Sequence, residues 1–216
     1  MPLLEMNTPR LLLRRFTIDD LDDFSLVCSD PEVMKYLEDG NPLSKEEILF
    51  HLEIYIRNSL RPHGFGRWAV INKEKDEFLG FCGLTLHHNL PELVFLLKKE
   101  YWGKGLASEA SAAALWYGFE LLQIDFIVAI TRPENFAARR VLERIGMKYD
   151  RDEVFSGIYC AVYSLAKEDY SAASPGTFSI VNKPEGEDAS TEFADPLSIP
   201  AINYEAASNS MLLSDF

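Results

Sequence analysis

The sequence predicts an α+β (mixed α/β) domain: a central mixed, mostly antiparallel twisted sheet with helices on both faces. Three observations predict it. Helical stripes alternate with strand-like apolar runs over the first 170 residues. Two of those runs are split by a charged turn, the mark of a hairpin. A further strand passes through a glycine-bearing loop into a long helix. The chain has 216 residues, enough for one domain plus an appendage at about 150 residues per domain. A domain of that size buries roughly 70% of its unfolded surface, so it needs no staples.

Taken in order, Arg10 to Arg14 reads as a strand. Thr17 and Asp20 have capping-box spacing, and Leu21, Phe24 and Cys28 follow as a helical stripe. Asp30-Pro31 opens a second short helix, with proline at the first position. Ser44 and Glu47 form another capping box, ahead of Ile48, Leu49, Leu52, Tyr55 and Ile56 on one helical face. Trp68 to Asn72 and Phe78 to Leu86 are the apolar runs around the turn Lys73 to Glu77, and Glu92 to Lys98 is a third. A long helix is predicted over 105–122 and a buried strand over Phe126 to Thr131. Arg132-Pro-Glu-Asn135 opens another helix, which Gly146 ends. Met147 to Phe155 and Ile158 to Leu165 make a last strand pair.

The domain is expected to span residues 1–170. From Ser171 to Phe216 there are four prolines, eight serines and seven carboxylates against one lysine. Such a segment cannot bury enough apolar area to offset the entropy of ordering. A mostly disordered acidic tail is therefore expected over 171–216, with a short docking helix near its end, where Tyr204, Met211, Leu212, Leu213 and Phe216 lie.

Lys and Arg number 21 against 34 carboxylates, a net charge of −13. That balance argues against nucleic acid and against anionic membranes, both of which are bound through cations. The N-terminus has no basic start with a long apolar core, so no signal peptide is expected. The longest apolar stretch, near Ala112 to Phe119, is too short to span a bilayer. Cys28, Cys82 and Cys160 are far apart, with no CxxC pair, so neither a metal site nor a disulfide framework is suggested. A cytoplasmic monomer or homodimer is the expectation.

The segment that carries chemistry runs from Glu92 to Ala110, where Tyr101-Trp-Gly-Lys-Gly-Leu-Ala-Ser108 joins a strand to a helix. A helix's first turn has unpaired N–H groups and the positive end of the dipole, which attract phosphate. Gly103 and Gly105 remove side chains that would hold a pyrophosphate off the backbone. Spacing excludes two other phosphate loops. A P-loop needs glycine where Lys98 stands, and a dinucleotide fingerprint starting at Gly103 meets Ser108 at its third glycine. Gly64-Phe65-Gly66 precedes a strand, not a helix.

On these residues the chain resembles the GNAT acyltransferase superfamily, whose pyrophosphate motif is Gln/Arg-x-x-Gly-x-Gly/Ala. Trp102-Gly-Lys-Gly-Leu-Ala107 matches it except that Trp102 replaces the Gln/Arg. The closest likeness is to the branch of ribosomal-protein N-terminal (alanine/serine) acetyltransferases. Asn135-Phe-Ala-Ala-Arg-Arg-Val-Leu-Glu-Arg-Ile-Gly-Met-Lys148 is similar to that branch's Asn-x-x-Ser helix. Thr8-Pro9-Arg10-Leu11 and Tyr163-Ser164-Leu165 also fit, so the resemblance spans about residues 8 to 170.

The resemblance implies a GNAT-like sheet splayed at its acetyl-CoA site and transfer of an acetyl group to a primary amine by direct attack in a ternary complex. The amine would be a protein N-terminal α-amine or a small molecule. Gly103, Lys104, Gly105, Leu106, Ala107 and Ser108 would hold the pyrophosphate. The strand at Leu96 and Leu97 would pair with the pantetheine arm, and Asn135 would hydrogen-bond that arm. The tyrosine acid of many members falls at Leu142, and the serine of Asn-x-x-Ser at Ala138. A thiolate with a pKa of about 8.5 can leave without such an acid.

Glu92 is the candidate general base, on the strand where related enzymes place a carboxylate. Apolar surroundings make a carboxylate more basic, and Leu93, Val94 and Phe95 offer them. Tyr36, Phe65, Trp68 and His87 or His88 are candidates to line the acceptor side. Glu109 suits the start of a helix by complementing its dipole. The alternative reading, fed by Ala138 and Leu142, is a CoA-binding or regulatory module without turnover.

Overall fold

The computed structural model describes residues 5–181 except 38, 59–63, 88, 173 and 175. The strands are β1 (Glu5–Asn7), β2 (Leu11–Arg14), β3 (Gly66–Asn72), β4 (Glu77–His87), β5 (Leu90–Leu97), β6 (Phe126–Thr131), β7 (Lys148–Phe155), β8 (Ile158–Ala166) and β9 (Ser179–Val181). The helices are α1 (Leu21–Cys28), α2 (Pro31–Met34), α3 (Lys45–Asn58), α4 (Leu106–Trp116) and α5 (Phe136–Arg144). The strands form one sheet in the order β7-β8-β6-β5-β4-β3-β2-β1-β9. Neighbours run antiparallel except β5 and β6, which are parallel.

The helix starts form where the sequence predicts them. Thr17 N–H donates to Asp20 Oδ2 at 2.8 Å, within a capping box. Asp30 Oδ1 accepts from Glu32 N–H at 2.8 Å with Pro31 at the first position. Ser44 N–H donates to Glu47 Oε2 at 2.7 Å, and Glu47 N–H returns to Ser44 Oγ at 3.3 Å. The predicted helix over 105–122 is shorter: α4 ends at Trp116, and Tyr117–Leu121 continue as a π-helical turn. A β-carbon on Gly118 would stand 2.8 Å from both Ile127 Cδ1 and Leu84 Cδ1, so glycine lets that turn press onto the sheet. Among the described residues, no helix is long and apolar enough to cross a membrane.

The two faces of the sheet are packed differently. On one, α4 presents the small residues Ala110, Ala113 and Ala114 to Trp68, Val70, Cys82, Leu84, Leu93 and Leu97. Trp68 is fully buried there, edge-on to Tyr117 with ring centres 5.0 Å apart. Full burial of each such side chain is worth about 1.5–3 kcal/mol. On the other face, beneath α1 and α3, Phe16, Phe24, Tyr55, Phe78 and Phe81 form an aromatic layer with ring centres 5.5 to 6.3 Å apart. The buried Arg67 guanidinium stacks 4.7 Å above the Tyr55 ring in that layer.

The chain stays structured past the expected domain end at 170. Tyr170 packs on Phe119 at 4.7 Å and Phe178 on Trp116 at 5.9 Å. β9 then pairs with β1 through Asn7–Ser179, Met6–Ile180 and Glu5–Val181. Two aromatic rings and an open sheet edge provide the burial that the composition of 171–216 as a whole does not suggest. The compact unit accordingly runs to Val181. The expected docking helix near Ile202 to Phe216 lies outside the described residues.

Two outcomes follow from this packing. A chain cut after Tyr170 should melt several degrees below one cut after Val181, because it loses Phe178, Ile180 and a strand pairing. Equal melting temperatures in differential scanning calorimetry would contradict it. His51, on α3, is held neutral: burial and then the Arg67 charge lower its pKa from 6.5 to about 4. Between those values the unfolded chain carries a proton that the folded one excludes. Its contribution is therefore complete above about pH 6.5 and falls as pH drops toward 4, by up to about 3 kcal/mol. Urea unfolding at pH 7 and pH 4.5 should show a smaller difference for His51→Phe than for the wild type.

Candidate active site

Parallel strands need a long crossover, and the one joining β5 to β6 contains α4. The two strands share one register pair, Glu92 with Val128. Beyond it β5 stays bonded to β4 as far as Leu97–Gly80, and β6 to β8 as far as Thr131–Ala161. Each strand is thus fixed on its outer side and open on its inner side. Because the pair is parallel, both strands deliver their following helices, α4 and α5, to the open end of the wedge.

The loop from β5 to α4 is held from several directions. Lys98 N–H donates to Leu79 O at 2.7 Å, and the Trp102 indole N–H to Leu97 O at 2.8 Å. The Tyr101 hydroxyl donates to the Glu77 carboxylate, which pushes the phenol up to about 12. Gly103 and Gly105 have φ of +73° and +74°, and Gly105 caps α4 without a side chain. The first amide to reach an acceptor along the helix is Glu109 N–H, bonded to Gly105 O at 3.1 Å. The N–H groups of Leu106, Ala107 and Ser108 precede it and point out of the helix end.

Glu109 binds across the fold instead of complementing its own dipole alone. Its carboxylate accepts from the Thr8 hydroxyl (2.5 Å), Arg10 N–H (2.8 Å) and Arg10 Nε (2.6 Å). Arg10 Nη1 continues to Lys104 O at 2.9 Å. These bonds aim the remaining nitrogen at the loop: a β-carbon on Gly105 would stand 3.6 Å from Arg10 Nη2 and 3.9 Å from Arg144 Nη1. Two guanidinium groups and a helix N-terminus therefore converge on one point, an arrangement that suits an anion. Arg144 is the last residue of α5, and its one sequence signal is a basic residue in the last turn of the predicted helix.

At the start of α5, Asn135 Oδ1 accepts from Ala138 N–H at 3.1 Å. The carbonyl of that side chain is spent on capping, and the amide Nδ2 faces away as a donor. Leu142 is buried in the core and Ala138 carries no proton, so neither position supplies a side-chain acid.

Glu92 is buried at the vertex of the wedge, opposite Thr85 of β4 and Val128 of β6. His87 is buried on the same face, with Nδ1 4.0 Å from Glu92 Oε2. The His87 ring meets Phe155 edge-on at 4.9 Å. Three strands lie between β7 and β4 in the sheet, each about 4.8 Å wide, so the β7–β8 hairpin folds back over the face to make that contact. Its tip is the two-residue turn Ser156-Gly157, with φ of 49° and 83°.

Two expected acceptor-side residues stand elsewhere. Trp68 lies on the α4 face, fully buried in the core, because β3 is buried on both faces and alternation alone does not tell which side meets the site. Phe65 is partly buried against that same core. Tyr36 is half-buried after α2, with the Lys35 ammonium 5.2 Å from its ring. His88 lies outside the described residues. Leu96 and Leu97 are buried on β5 beside the open edge, with the Leu97 carbonyl taken by Trp102.

Comparison with known proteins places the chain. The acetyltransferase (GNAT) domain family matches residues 10–148. The protein named uncharacterized N-acetyltransferase p20 of Bacillus licheniformis is 33% identical over 174 residues, 76% of this chain and 97% of that one. The crystal structure of a GNAT-family acetyltransferase from Bacillus anthracis superposes with a TM-score of 0.68 at 25% identity, covering 76% of this chain and 99% of that one. RimL, a ribosomal L7/L12 α-N-protein acetyltransferase solved with coenzyme A, shares the fold with a TM-score of 0.62 at 17% identity over 74% of this chain and 95% of that one.

Proposed function

The chain belongs to the GNAT acetyltransferase family, and on that premise we propose that it moves the acetyl group of acetyl-CoA to a primary amine, with Glu92 as general base. The acceptor is a protein N-terminal α-amine or a small-molecule amine. The observation that carries this reading is the wedge between β5 and β6, with two helix N-termini at its open end and Glu92 at its vertex.

The residues present fit the nucleotide end of acetyl-CoA. The amides of Gly103 to Ser108 would hold the pyrophosphate, and Arg10 Nη2 and Arg144 supply the positive charge that Trp102 does not. The open edge of β5 at Leu96 and Leu97 would take the pantetheine arm as an added strand, with Asn135 Nδ2 as a donor.

Amines are protonated at neutral pH, so a base must remove a proton before nitrogen attacks the thioester carbon. The burial of Glu92 at the vertex of the wedge supports that role, and a backbone N–H on the open strand edge can polarise the carbonyl oxygen. Burial pushes the Cys28 and Cys82 thiols up to about 12, so neither is a thiolate nucleophile at pH 7. That favours direct attack over an acyl-enzyme. The net charge of −13 favours a cationic acceptor.

A free-thiol release assay across α-amine peptides, polyamines and amino sugars tests the activity. Release with at least one acceptor above the amine-free rate is expected; acetyl-CoA binding without any release would favour the non-catalytic module. Gly105→Glu should abolish acetyl-CoA binding in calorimetric titration, since the new carboxylate takes the place of the pyrophosphate between two arginines. Arg144→Ala should weaken binding roughly tenfold. Glu92→Gln should lower turnover about 10²-fold with acetyl-CoA affinity intact, and the loss should shrink as pH rises and more amine is already neutral.

A further inference from the structure

Resting on the reading of Glu92 as base, we propose that His87 is a positioning residue for the Glu92 carboxylate and receives the proton that Glu92 takes from the acceptor. His87 and Glu92 occupy adjacent cross-strand sites on β4 and β5, on the face that carries the aromatic layer. Both are buried, at 4% and 7% exposure, and Nδ1 stands 4.0 Å from Oε2. That is ion-pair range, and the gap is one that a single water can bridge. Phe155 closes over the imidazole and fixes its plane edge-on, so the ring presents one edge to the carboxylate.

Proton accounting gives the pair its purpose. Transfer to an ammonium forms a C–N bond, breaks the C–S bond and removes two protons from nitrogen. One ends on the departing sulfur. The other goes to Glu92 and must leave before the next turnover. Both groups are buried, His87 the more so, and His87 stands at the end of β4, directly across the strand pair from exposed Leu90. Passing the proton from carboxyl to imidazole restores the carboxylate and leaves an imidazolium beside it, an ion pair, before solvent takes the proton. The other charged or titratable groups on this face include Arg67 of β3, which stacks on Tyr55, the neutral His51 of α3, the ion pairs Arg14–Asp20 at 2.7 Å and Lys98–Asp23 at 2.8 Å, and Arg151 with Glu153 of β7, which pair with each other at 2.6 Å.

The full-length chain tests this with acetyl-CoA and the best amine of the acceptor panel. His87→Gln should lower kcat about tenfold with KM for acetyl-CoA unchanged. His87→Phe, which keeps a ring against Phe155, should show the same loss. In a Glu92→Gln background neither change should cost more, because residues acting as a unit are non-additive. Wild-type kcat in His87→Gln, rescue by His87→Phe, or losses that multiply with Glu92→Gln would overturn the proposal. If Glu92→Gln loses turnover and His87→Gln does not, only the pairing fails; wild-type turnover in Glu92→Gln removes the base assignment itself. A readout without acceptor is the imidazole ¹⁵N spectrum. Glu92→Gln should shift the His87 ring nitrogens, and an unchanged spectrum would refute the contact.

Discussion

β4 and β5 share eight register pairs and β6 and β8 six, whereas β5 and β6, between them, share one. The parallel direction of β5 and β6 forces a crossover, and the crossover carries α4 onto one face of the sheet. The same direction puts the starts of α4 and α5 at the same end of the sheet. Had β6 run antiparallel, one of the two helix N-termini would lie at the opposite end of the sheet. The divergence after Glu92 leaves backbone donors and acceptors of β5 and β6 without a ladder partner, an arrangement a folded chain tolerates where a ligand can complete it.

The charge distribution serves this wedge. A chain with 13 surplus negative charges still gathers Arg10, Arg144 and a helix N-terminus around Gly105. Glu109 makes that gathering possible, since its carboxylate holds Thr8 and Arg10 against α4 and so ties the β1–β2 corner to the loop. The two faces of the sheet divide the remaining work. The α4 face is a close-packed apolar core that positions the loop. The α1–α3 face combines an aromatic layer with buried polar groups, Arg67, His51, His87 and Glu92, and receives the folded-over tip of the β7–β8 hairpin.

Local features were legible in the sequence because they depend on neighbours in the chain. The capping boxes at Thr17 and Ser44, the proline start at Asp30-Pro31, strand β6 and the glycine loop all appear where spacing predicts them. Contacts between residues far apart in the chain leave no such local trace. Arg10 with Glu109, Arg144 with Gly105, and Phe155 with His87 depend on topology that no window of sequence contains. Strand β9 is not legible because its three residues, which pair with a short edge strand, stand in an acidic, proline-bearing segment. The side that Trp68 faces is not legible, because a strand buried on both faces has no polar alternation to show which way its side chains point.

The wedge is tested most directly by amide hydrogen exchange with and without acetyl-CoA. Protection concentrated in Leu93 to Leu97 and Gly103 to Ser108, with α3 exchanging as before, is the result predicted. Saturating acetyl-CoA that leaves those two segments unprotected would contradict the account.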